Sequence, residues 1–317
     1  MFYVGIDVGK QTLHCALTDR LVLEVANTKE GYGELVDRLT EHGYSTGETQ
    51  LACESTGVYH LPICQYLTKQ GWRMSVINPL LASRLSKARL RPVKTDKVDA
   101  KLIRTMAEQG HGDLFTLTND TLELQSLVAQ RHGLVEIRAN LKCRLEAHTW
   151  RKKLEGGMGI PSHEALKETL AFVCGQIKAL EKYLEQTQTP IQQLLRSIPG
   201  IGVGTAAALV ANIGNIQRFS SPKKLVAYLG LDPRVHESGT SVHGKGYLSK
   251  RGNKRLRSLL FNAAFISKRY IPELHDYYEK KHAEGQHHFS ALCATERKLV
   301  HLIHAVWTRG TPFEPRV

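Results

Sequence analysis

The stretch FYVGID (residues 2–7) decides the fold, because its alternating pattern predicts a first β-strand that ends at Asp7. Two further strands are predicted directly after it, joined to each other by a tight turn. Alternating helices and strands then follow. This order predicts a mixed α/β sheet with helices packed on it. The predicted elements are strands 2–7, 13–19 and 21–27, helix 29–43, strand 50–54, helix 58–70 and strand 73–78.

Four acids stand where strand ends or helix starts would aim them at a common point. They are Asp7 in GIDVGK, Glu54 in LACEST, and Asp96 with Asp99 in KTDKVDA. Two carboxylates about 4 Å apart repel by roughly 4 kcal/mol at an effective dielectric of about 20. A fold that gathers four of them usually does so around divalent cations, and an all-oxygen set suits Mg²⁺ or Mn²⁺.

The spacing of the last two acids supports this interpretation, since residues three apart share one face of a helix. Each acid taken alone has a simpler alternative as a turn residue or helix cap. Asp96, which follows Thr95 at a predicted helix start, is a good candidate for a cap. The ordered set of four favours a metal site.

Composition places the chain among ordinary globular proteins, with 42% hydrophobic and 23% charged residues in 317. No apolar run approaches 18 residues, and the first residues lack a signal-peptide pattern, so a cytoplasmic protein is expected. The six cysteines are scattered without a CxxC pair, which favours a reducing compartment over disulfides or a zinc ribbon. The fifteen histidines form no HxxxH pattern that indicates a metal site.

The net charge of +13 is concentrated rather than evenly spread. Residues 201–270 contain twelve Lys or Arg against two acids, and residues 84–104 are also crowded with cations. A solvated basic face is the simpler explanation, but clustering beside the candidate sites favours contact with a phosphate backbone. The residues expected to bind nucleic acid are Arg91, Lys94, Gly200, Gly202, Lys223, Lys224, Arg234, Lys245, Lys250, Arg251, Lys254 and Arg255.

The middle of the chain predicts long helices. Leu127, Leu134 and Leu141 repeat every seven residues, and a second apolar stripe runs through 166–184. GGMGIPS (156–162) separates the two, which predicts a helical hairpin or a coiled-coil arm. The stripe is also compatible with a domain core, but an arm used in self-association is favoured.

The segment SIPGIGVGTAAALVANIG (197–214) predicts a helix-hairpin-helix, whose glycine-rich turn exposes backbone N–H groups that can hold a DNA phosphate. A glycine-rich loop in an all-α core is the alternative. Further on, PRVHESGTSVHGKGYLSKRGN (233–253) is polar, rich in glycine and short of acids. Turn hydroxyls greatly outnumber nucleophilic ones, so the residues alone do not select a nucleophile among Ser238, Thr240, Ser241 and Ser249.

A collinear series of motifs covers almost the whole chain: GIDVGK, ESTGVY, VINP, KTDKVDA, SIPGIGxxTA, YLGLDPR, ESGTSVHG and GNxxLR. Together they resemble the DEDD transposases of bacterial insertion sequences of the IS110 class, with relatives among the Piv-type DNA invertases. The resemblance implies a RuvC-like (ribonuclease H-like) catalytic domain over 1–115 and a helical or coiled-coil connector over 116–190. A mainly α transposase domain with the helix-hairpin-helix and the catalytic serine would cover 191–317.

The resemblance also implies a mechanism. In such a recombinase, Asp7, Glu54, Asp96 and Asp99 bind Mg²⁺ and Ser238, in its E-S-G context, forms a covalent phosphoserine link to DNA. The partners implied are donor and target DNA, a structured bridge RNA, and further copies of the chain, as a dimer or as a tetramer in the synaptic complex. We expect a bacterial cytoplasmic protein, associated with the nucleoid when bound to DNA and not with a membrane.

Three alternatives stay open. The first is a Piv-like invertase that works without a guide RNA, since no RRM or KH pattern is present and RNA guidance rests on the resemblance alone. The second is a RuvC-like metal-dependent nuclease in which water is the nucleophile. The third is an inert nucleic-acid-binding protein that reuses the fold, against which the intact acidic set argues.

Overall fold

The computed structural model describes residues 1–55, 57–79, 81–82, 95–116, 118–151, 153, 162–234, 237–238, 242–243 and 247–315. For residues 162, 234, 237–238, 242–243 and 247 only the backbone is described. The chain forms two compact units, Met1–Leu117 and Thr118–Val317. The three-part division into 1–115, 116–190 and 191–317 stays a prediction.

The first unit is built on one mixed sheet of strand order β3-β2-β1-β4-β5-β6. The central strand β1 is antiparallel to β2 and parallel to β4, and β5 is parallel to β4. This arrangement confirms the predicted mixed sheet and is consistent with the ribonuclease H-like fold. The strands are β1 Phe2–Val8, β2 Thr12–Ala16, β3 Val22–Ala26, β4 Thr49–Glu54, β5 Arg73–Ile77 and β6 Asp113–Leu114.

Several boundaries differ from the sequence-based expectation by up to three residues; the predicted helix 58–70, for example, spans Leu61–Lys69. The second strand ends at Ala16 rather than at residue 19, because the Thr18 hydroxyl accepts hydrogen bonds from the backbone N–H groups of Arg20 and Leu21 and closes a turn. The short edge strand β6, antiparallel to β5, was not predicted. Two residues are too few to show the alternation on which a strand prediction depends.

Helices cover both faces of this sheet. The helices are α1 Lys29–Glu41, α2 Leu61–Lys69 and α3 Asp96–Glu108. On one face Leu35 of α1 and Leu67 of α2 share a core with Ile6 of β1. On the other face Ile103 of α3 packs with Ala52 and Ile77. Because side chains alternate along a strand, both faces of β1 and β4 are buried.

Gly5 sets how closely α3 approaches the sheet. A Cβ atom at this position would lie 2.2 Å from the Ala100 carbonyl oxygen and 2.3 Å from the Arg104 backbone nitrogen. No side chain fits in that space, so the backbones of β1 and α3 touch directly. This contact holds the amino-terminal end of α3 beside the carboxyl end of β1.

The second unit is mainly helical. Its helices are α4 Asn119–Arg151, α5 Ser162–Gln186, α6 Pro190–Arg196, α7 Val203–Ile213, α8 Pro222–Leu229, α9 Lys254–Ser267, α10 Pro272–Ala283 and α11 His288–Arg309. Helices α6 to α11 share one apolar core, which includes Leu209, Leu260 and Leu299. Four two-residue strands also occur: β7 Pro233–Arg234, β8 Glu237–Ser238, β9 Val242–His243 and β10 Tyr247–Leu248.

The predicted long helices α4 and α5 are present and pack on each other through Leu141, Val173 and Ile177. Arg131, which interrupts the leucine repeat of α4, donates from Nε to Glu181 of α5 at 2.9 Å. The Gln125 side chain donates to the Ala211 carbonyl at 2.8 Å, so one end of α4 is tied to α7. The use of the pair as a self-association arm stays a prediction.

Among the helices of the described ranges, none combines the length and the apolar character needed to cross a membrane.

Candidate metal centre and serine ribbon

Two of the predicted acids lie side by side at the carboxyl ends of neighbouring parallel strands. In the register of β1 and β4, Ile6 pairs with Cys53, so Asp7 and Glu54 follow at the same level. Ile6 and Cys53 are fully buried, whereas Asp7 and Glu54 are half-buried. Since successive side chains alternate between the faces of a sheet, both acids lie on the face opposite to Ile6 and Cys53, which is the face that α3 covers.

The other two acids lie in the first turn of α3. Thr95 is the N-cap of this helix, and its side chain accepts a hydrogen bond from the Val98 N–H at 3.3 Å. The suggestion that Asp96 itself caps the helix is therefore wrong, because the threonine before it already takes that place. Neither Asp96 nor Asp99 is the cap of this helix, and the helix dipole favours both carboxylates at this end.

The structure brings Asp7, Asp96 and His14 together. One ligand atom from each lies within 4.8 Å of the others. His14 belongs to β2 and pairs directly with Asp7 across the antiparallel β1–β2 ladder. Its Nδ1 is 3.9 Å from Asp96 and its Nε2 is 3.4 Å from Glu24. Sequence reasoning missed this histidine. The missing signal was the strand register, which places it opposite Asp7.

The pKa of Asp7 reports how crowded this centre is. Burial, followed by the charges of Asp96 and Asp99, raises it from 3.8 to about 6. Glu54 raises it further, while His14 acts in the opposite direction. Each of the other three predicted acids therefore lies close enough to Asp7 to raise its pKa. Glu54 and Asp99 are not among the three residues whose ligand atoms lie within 4.8 Å.

The donor chemistry of this centre fits a divalent cation. A cation near the carboxylates would relieve the repulsion that raises the pKa of Asp7. Carboxylate oxygens suit Mg²⁺ or Mn²⁺. The imidazole of His14 either completes the donor set or orients Asp96 from beside it.

Where the sequence predicts a helix-hairpin-helix, a turn at residues 197–202 joins α6 to α7, and its use as a DNA-binding motif stays a prediction. Gly200 has a φ of +96°, and a Cβ there would lie 2.4 Å from the Ser267 hydroxyl on α9, so packing alone requires a glycine. Gly202 is exposed and is the N-cap of α7 without a side-chain hydrogen bond. The backbone N–H groups next to Gly202 remain the better candidates for phosphate contact.

The predicted basic residues fall into two groups. Arg91 and Lys94 lie outside the described residues, as does Lys245, and only the backbone of Arg234 is described. The remaining six are exposed cations of the second unit, of which Arg255 reaches Glu136 at 4.0 Å. These six are Lys223, Lys224, Lys250, Arg251, Lys254 and Arg255.

Ser238 lies in the segment 230–252, which we call the serine ribbon after the short paired strands that it contains. At its base β7 pairs with β10, Arg234 opposite Tyr247. Further along, β8 pairs with β9, Ser238 opposite Val242. Ser249 is a poor candidate for the nucleophile, because it is buried and its hydroxyl is hydrogen-bonded to the Asp232 carboxylate. Thr240 and Ser241 lie outside the described residues.

An acidic centre at the end of a mixed sheet, joined in sequence to a helical and basic remainder, is typical of metal-dependent proteins that act on nucleic acids. A family model described as "Transposase", for the DEDD type of IS110, matches residues 4–149. A second, described as "Transposase IS116/IS110/IS902 family", matches residues 192–279.

Relatives extend over the full length. A pilin gene-inverting protein of Moraxella lacunata is 29% identical over 99% of this chain and 98% of its own. The transposase for insertion sequence element IS1328 of Yersinia enterocolitica is 27% identical over 98% of each. The chain belongs to the IS110 family of transposases and is a DNA transposase or recombinase.

Proposed function

We propose that this protein cuts and exchanges DNA strands through a covalent phosphoserine intermediate, assisted by magnesium held at Asp7, Glu54, Asp96 and Asp99. The observation that carries the proposal is the cluster of Asp7, Asp96 and His14, with the pKa of Asp7 raised to about 6. A cation bound there would relieve the repulsion between these carboxylates that contributes to the raised pKa.

The proposed chemical step is the one that the resemblance to the family implies. Bound magnesium would neutralise the charge that develops on the scissile phosphate and the leaving oxygen. The Ser238 hydroxyl attacks phosphorus, the bond from phosphorus to the 3′ oxygen breaks, and the serine proton ends on that oxygen as a 3′-hydroxyl. A 3′-hydroxyl from the other DNA reverses the step. The covalent link conserves the phosphoester bond, so no nucleotide cofactor is required.

The remaining parts of the proposal concern the contacts with nucleic acid and the assembly of the protein. Arg234 and Lys250 would clamp the phosphate, and the exposed cations around Lys223 and Arg255 would bind the DNA backbone. We further propose a structured guide RNA that pairs with donor and target DNA. We also propose that the protein assembles as a dimer, and as a tetramer in the synaptic complex. When bound to DNA it would associate with the bacterial nucleoid.

A second candidate is a site-specific invertase that works without a guide RNA. It is favoured by the pilin gene-inverting proteins of two Moraxella species, which match nearly the whole chain at 29% and 28% identity. Sequencing the nucleic acids that copurify with the protein separates the two candidates. A discrete structured RNA supports guidance, and its absence favours the invertase.

The covalent intermediate is tested with a DNA substrate labelled beside the cut. Denaturing gels of the quenched reaction should show labelled DNA attached to the wild-type protein and none attached to Ser238→Ala. Ser241→Ala is the matched control and should keep the adduct. If Ser238→Ala cleaves DNA at the wild-type rate, water is the nucleophile and the proposal is wrong.

A further inference from the structure

We propose that Arg257 is a positioning residue that closes the base of the serine ribbon and thereby fixes where Ser238 meets the phosphate. The inference rests on the proposed function, because it assigns Arg257 a role only if Ser238 is the nucleophile. Arg257 is the arginine of the GNxxLR motif and lies in the second turn of α9, directly after the ribbon.

The two ends of the ribbon cross at a pair of glycines. Gly230, at the end of α8, has a φ of +72°, and a Cβ on it would lie 2.6 Å from the Gly252 backbone nitrogen. A Cβ on Gly252 would lie 2.4 Å from the Tyr228 carbonyl oxygen. The entering and leaving backbones are therefore in direct contact, and no side chain separates them.

Arg257 joins these two ends. Its Nη1 donates to the Gly252 carbonyl at 2.6 Å and to the Leu229 carbonyl at 3.4 Å. Beyond this junction the Lys250 N–H donates to the Gly230 carbonyl at 3.0 Å, and the Ser249 N–H to the Asp232 carbonyl at 2.9 Å. Arg257 thus links the two ends of the ribbon through its side chain, next to the first backbone hydrogen bonds between them.

The length of the ribbon makes its base important. From Pro233 to Ser238 the chain can extend by at most about 17 Å, at ~3.3 Å for each strand residue. A tilt of about 5° at the base would then move the serine by up to ~1.5 Å. Misplacing a reacting group by about 1 Å can reduce a rate ~100-fold. A narrow ribbon therefore needs a rigid base to present a nucleophile.

Arg257 also acts on a buried acid. Glu296 on α11 is 2% exposed, and its Oε1 has no hydrogen-bond partner within the described part of the chain. Burial raises the pKa of Glu296 to about 8, against the opposing charges of Arg257 and Arg297. Removing Arg257 therefore also removes a charge that Glu296 faces. The test needs a variant that separates this effect from the loss of the hydrogen bonds.

The first measurement is amide hydrogen exchange on the full-length protein. Arg257→Ala should speed exchange at Ser249 and Lys250 about tenfold, the loss expected for a hydrogen bond from a charged donor. The double variant Arg257→Ala/Glu296→Gln, which also removes the buried acid, should show the same change with stability closer to wild type. Two control variants should leave the exchange rates of these amides unchanged. One is Glu296→Gln alone. The other is Arg196→Ala, since Arg196 binds Glu185 and Gln188.

The second measurement is single-turnover adduct formation at saturating DNA. Both variants lacking Arg257 should form the adduct at least tenfold more slowly, with the DNA dissociation constant within about threefold of wild type. Arg257→Lys, which keeps one donor and the charge, should recover part of the rate. Unchanged exchange at Ser249 and Lys250, or faster exchange with an unchanged adduct rate, overturns the inference. If the wild-type protein forms no adduct, the proposed function fails, and exchange alone then reports whether Arg257 holds the ribbon.

Discussion

Gly5 is the residue on which the metal centre depends most directly, because the two backbones that present the acids touch there. A Cβ at Gly5 would lie 2.2 Å from the Ala100 carbonyl oxygen, and that carbonyl belongs to α3 and cannot yield easily. We expect Gly5→Ala to destabilise the protein by about 2 kcal/mol and to weaken Mn²⁺ binding at least tenfold by pushing α3 away from β1. Urea unfolding and Mn²⁺ titration by electron paramagnetic resonance measure both effects.

Gly33 provides the matched control for this substitution. It lies inside α1, where a Cβ would meet only the Tyr66 hydroxyl at 3.7 Å. Gly33→Ala should leave Mn²⁺ binding unchanged and raise stability by up to ~1 kcal/mol, because alanine favours helices. Equal Mn²⁺ affinity in Gly5→Ala and wild type would contradict the importance of this contact.

The raised pKa of Asp7 predicts competition between protons and the metal. Burial and the neighbouring acids place this pKa at about 6 in the metal-free protein. Below pH 6 each unit of pH should therefore weaken Mn²⁺ binding about tenfold, while above pH 7 the affinity should level off. Titrations at pH 5, 6, 7 and 8 test this, and identical affinities at pH 5 and pH 7 would show that Asp7 is not a ligand.

The same pKa has a consequence for stability in the absence of metal. The folded protein binds the Asp7 proton more tightly than the unfolded chain, so stability falls as pH rises from 3.8 to about 6. Asp7→Asn removes this loss. It should raise the unfolding temperature of the metal-free protein above pH 6, and the difference should vanish below pH 4. It should also abolish DNA cleavage.

At the scale of single residues the sequence could predict the acids but not their histidine partner. Asp7 and Asp96 are visible because each ends or begins an element in a recognisable motif. His14 lies in a segment correctly predicted as a strand, but its place opposite Asp7 depends on the register of β1 and β2. A shift of one residue would turn it to the other face, and the turn between the strands does not reveal the register in advance.

At the scale of elements, the N-cap of α3 matters more for activity than for stability. The Thr95 side chain satisfies the Val98 N–H and so holds the first turn, which carries Asp96 and Asp99. Thr95→Ala should cost about 1 kcal/mol of stability. It should reduce cleavage at least tenfold, because a frayed first turn releases two of the four acids.

Helix α1 offers a control of the same chemistry. Thr28 is its N-cap and accepts from the Gly31 N–H at 3.3 Å, the same distance as in the Thr95 cap. Thr28→Ala should cost a similar stability and leave cleavage within about twofold of wild type. A comparable loss of cleavage in both variants would mean that stability, and not the placement of the acids, limits the reaction.

Element order was predictable because hydrophobic period and glycine or proline breaks mark β1 to β5 and the helices between them. The features that the sequence did not predict depend on contacts between residues that are distant in sequence. β6 exists only through pairing with β5. Arg131, which interrupts the predicted leucine seam of α4, is accommodated by Glu181 some fifty residues later. Neither partner is visible in the local pattern.

At the scale of the molecule, the two units carry different parts of the proposed reaction. The acids lie in Met1–Leu117 and Ser238 lies in Thr118–Val317. The sequence predicted this separation through the resemblance, which also implies that the acids of one subunit act with the serine of another. Composition and periodicity cannot decide this, since a site shared between subunits depends on surfaces that each chain forms only after folding.

Mixing two inactive variants tests whether the reaction centre is shared. Asp7→Asn keeps the serine and Ser238→Ala keeps the acids, so each alone should fail to recombine DNA. If acids and serine come from different subunits, random mixing should restore about a quarter of the wild-type sites, because half of the chains supply each part. If both come from one chain, no site is restored. The double variant Asp7→Asn/Ser238→Ala mixed with either single variant should stay inactive. Copurification of differently tagged chains confirms that subunits have exchanged, and exchange without recovered activity would contradict the shared centre.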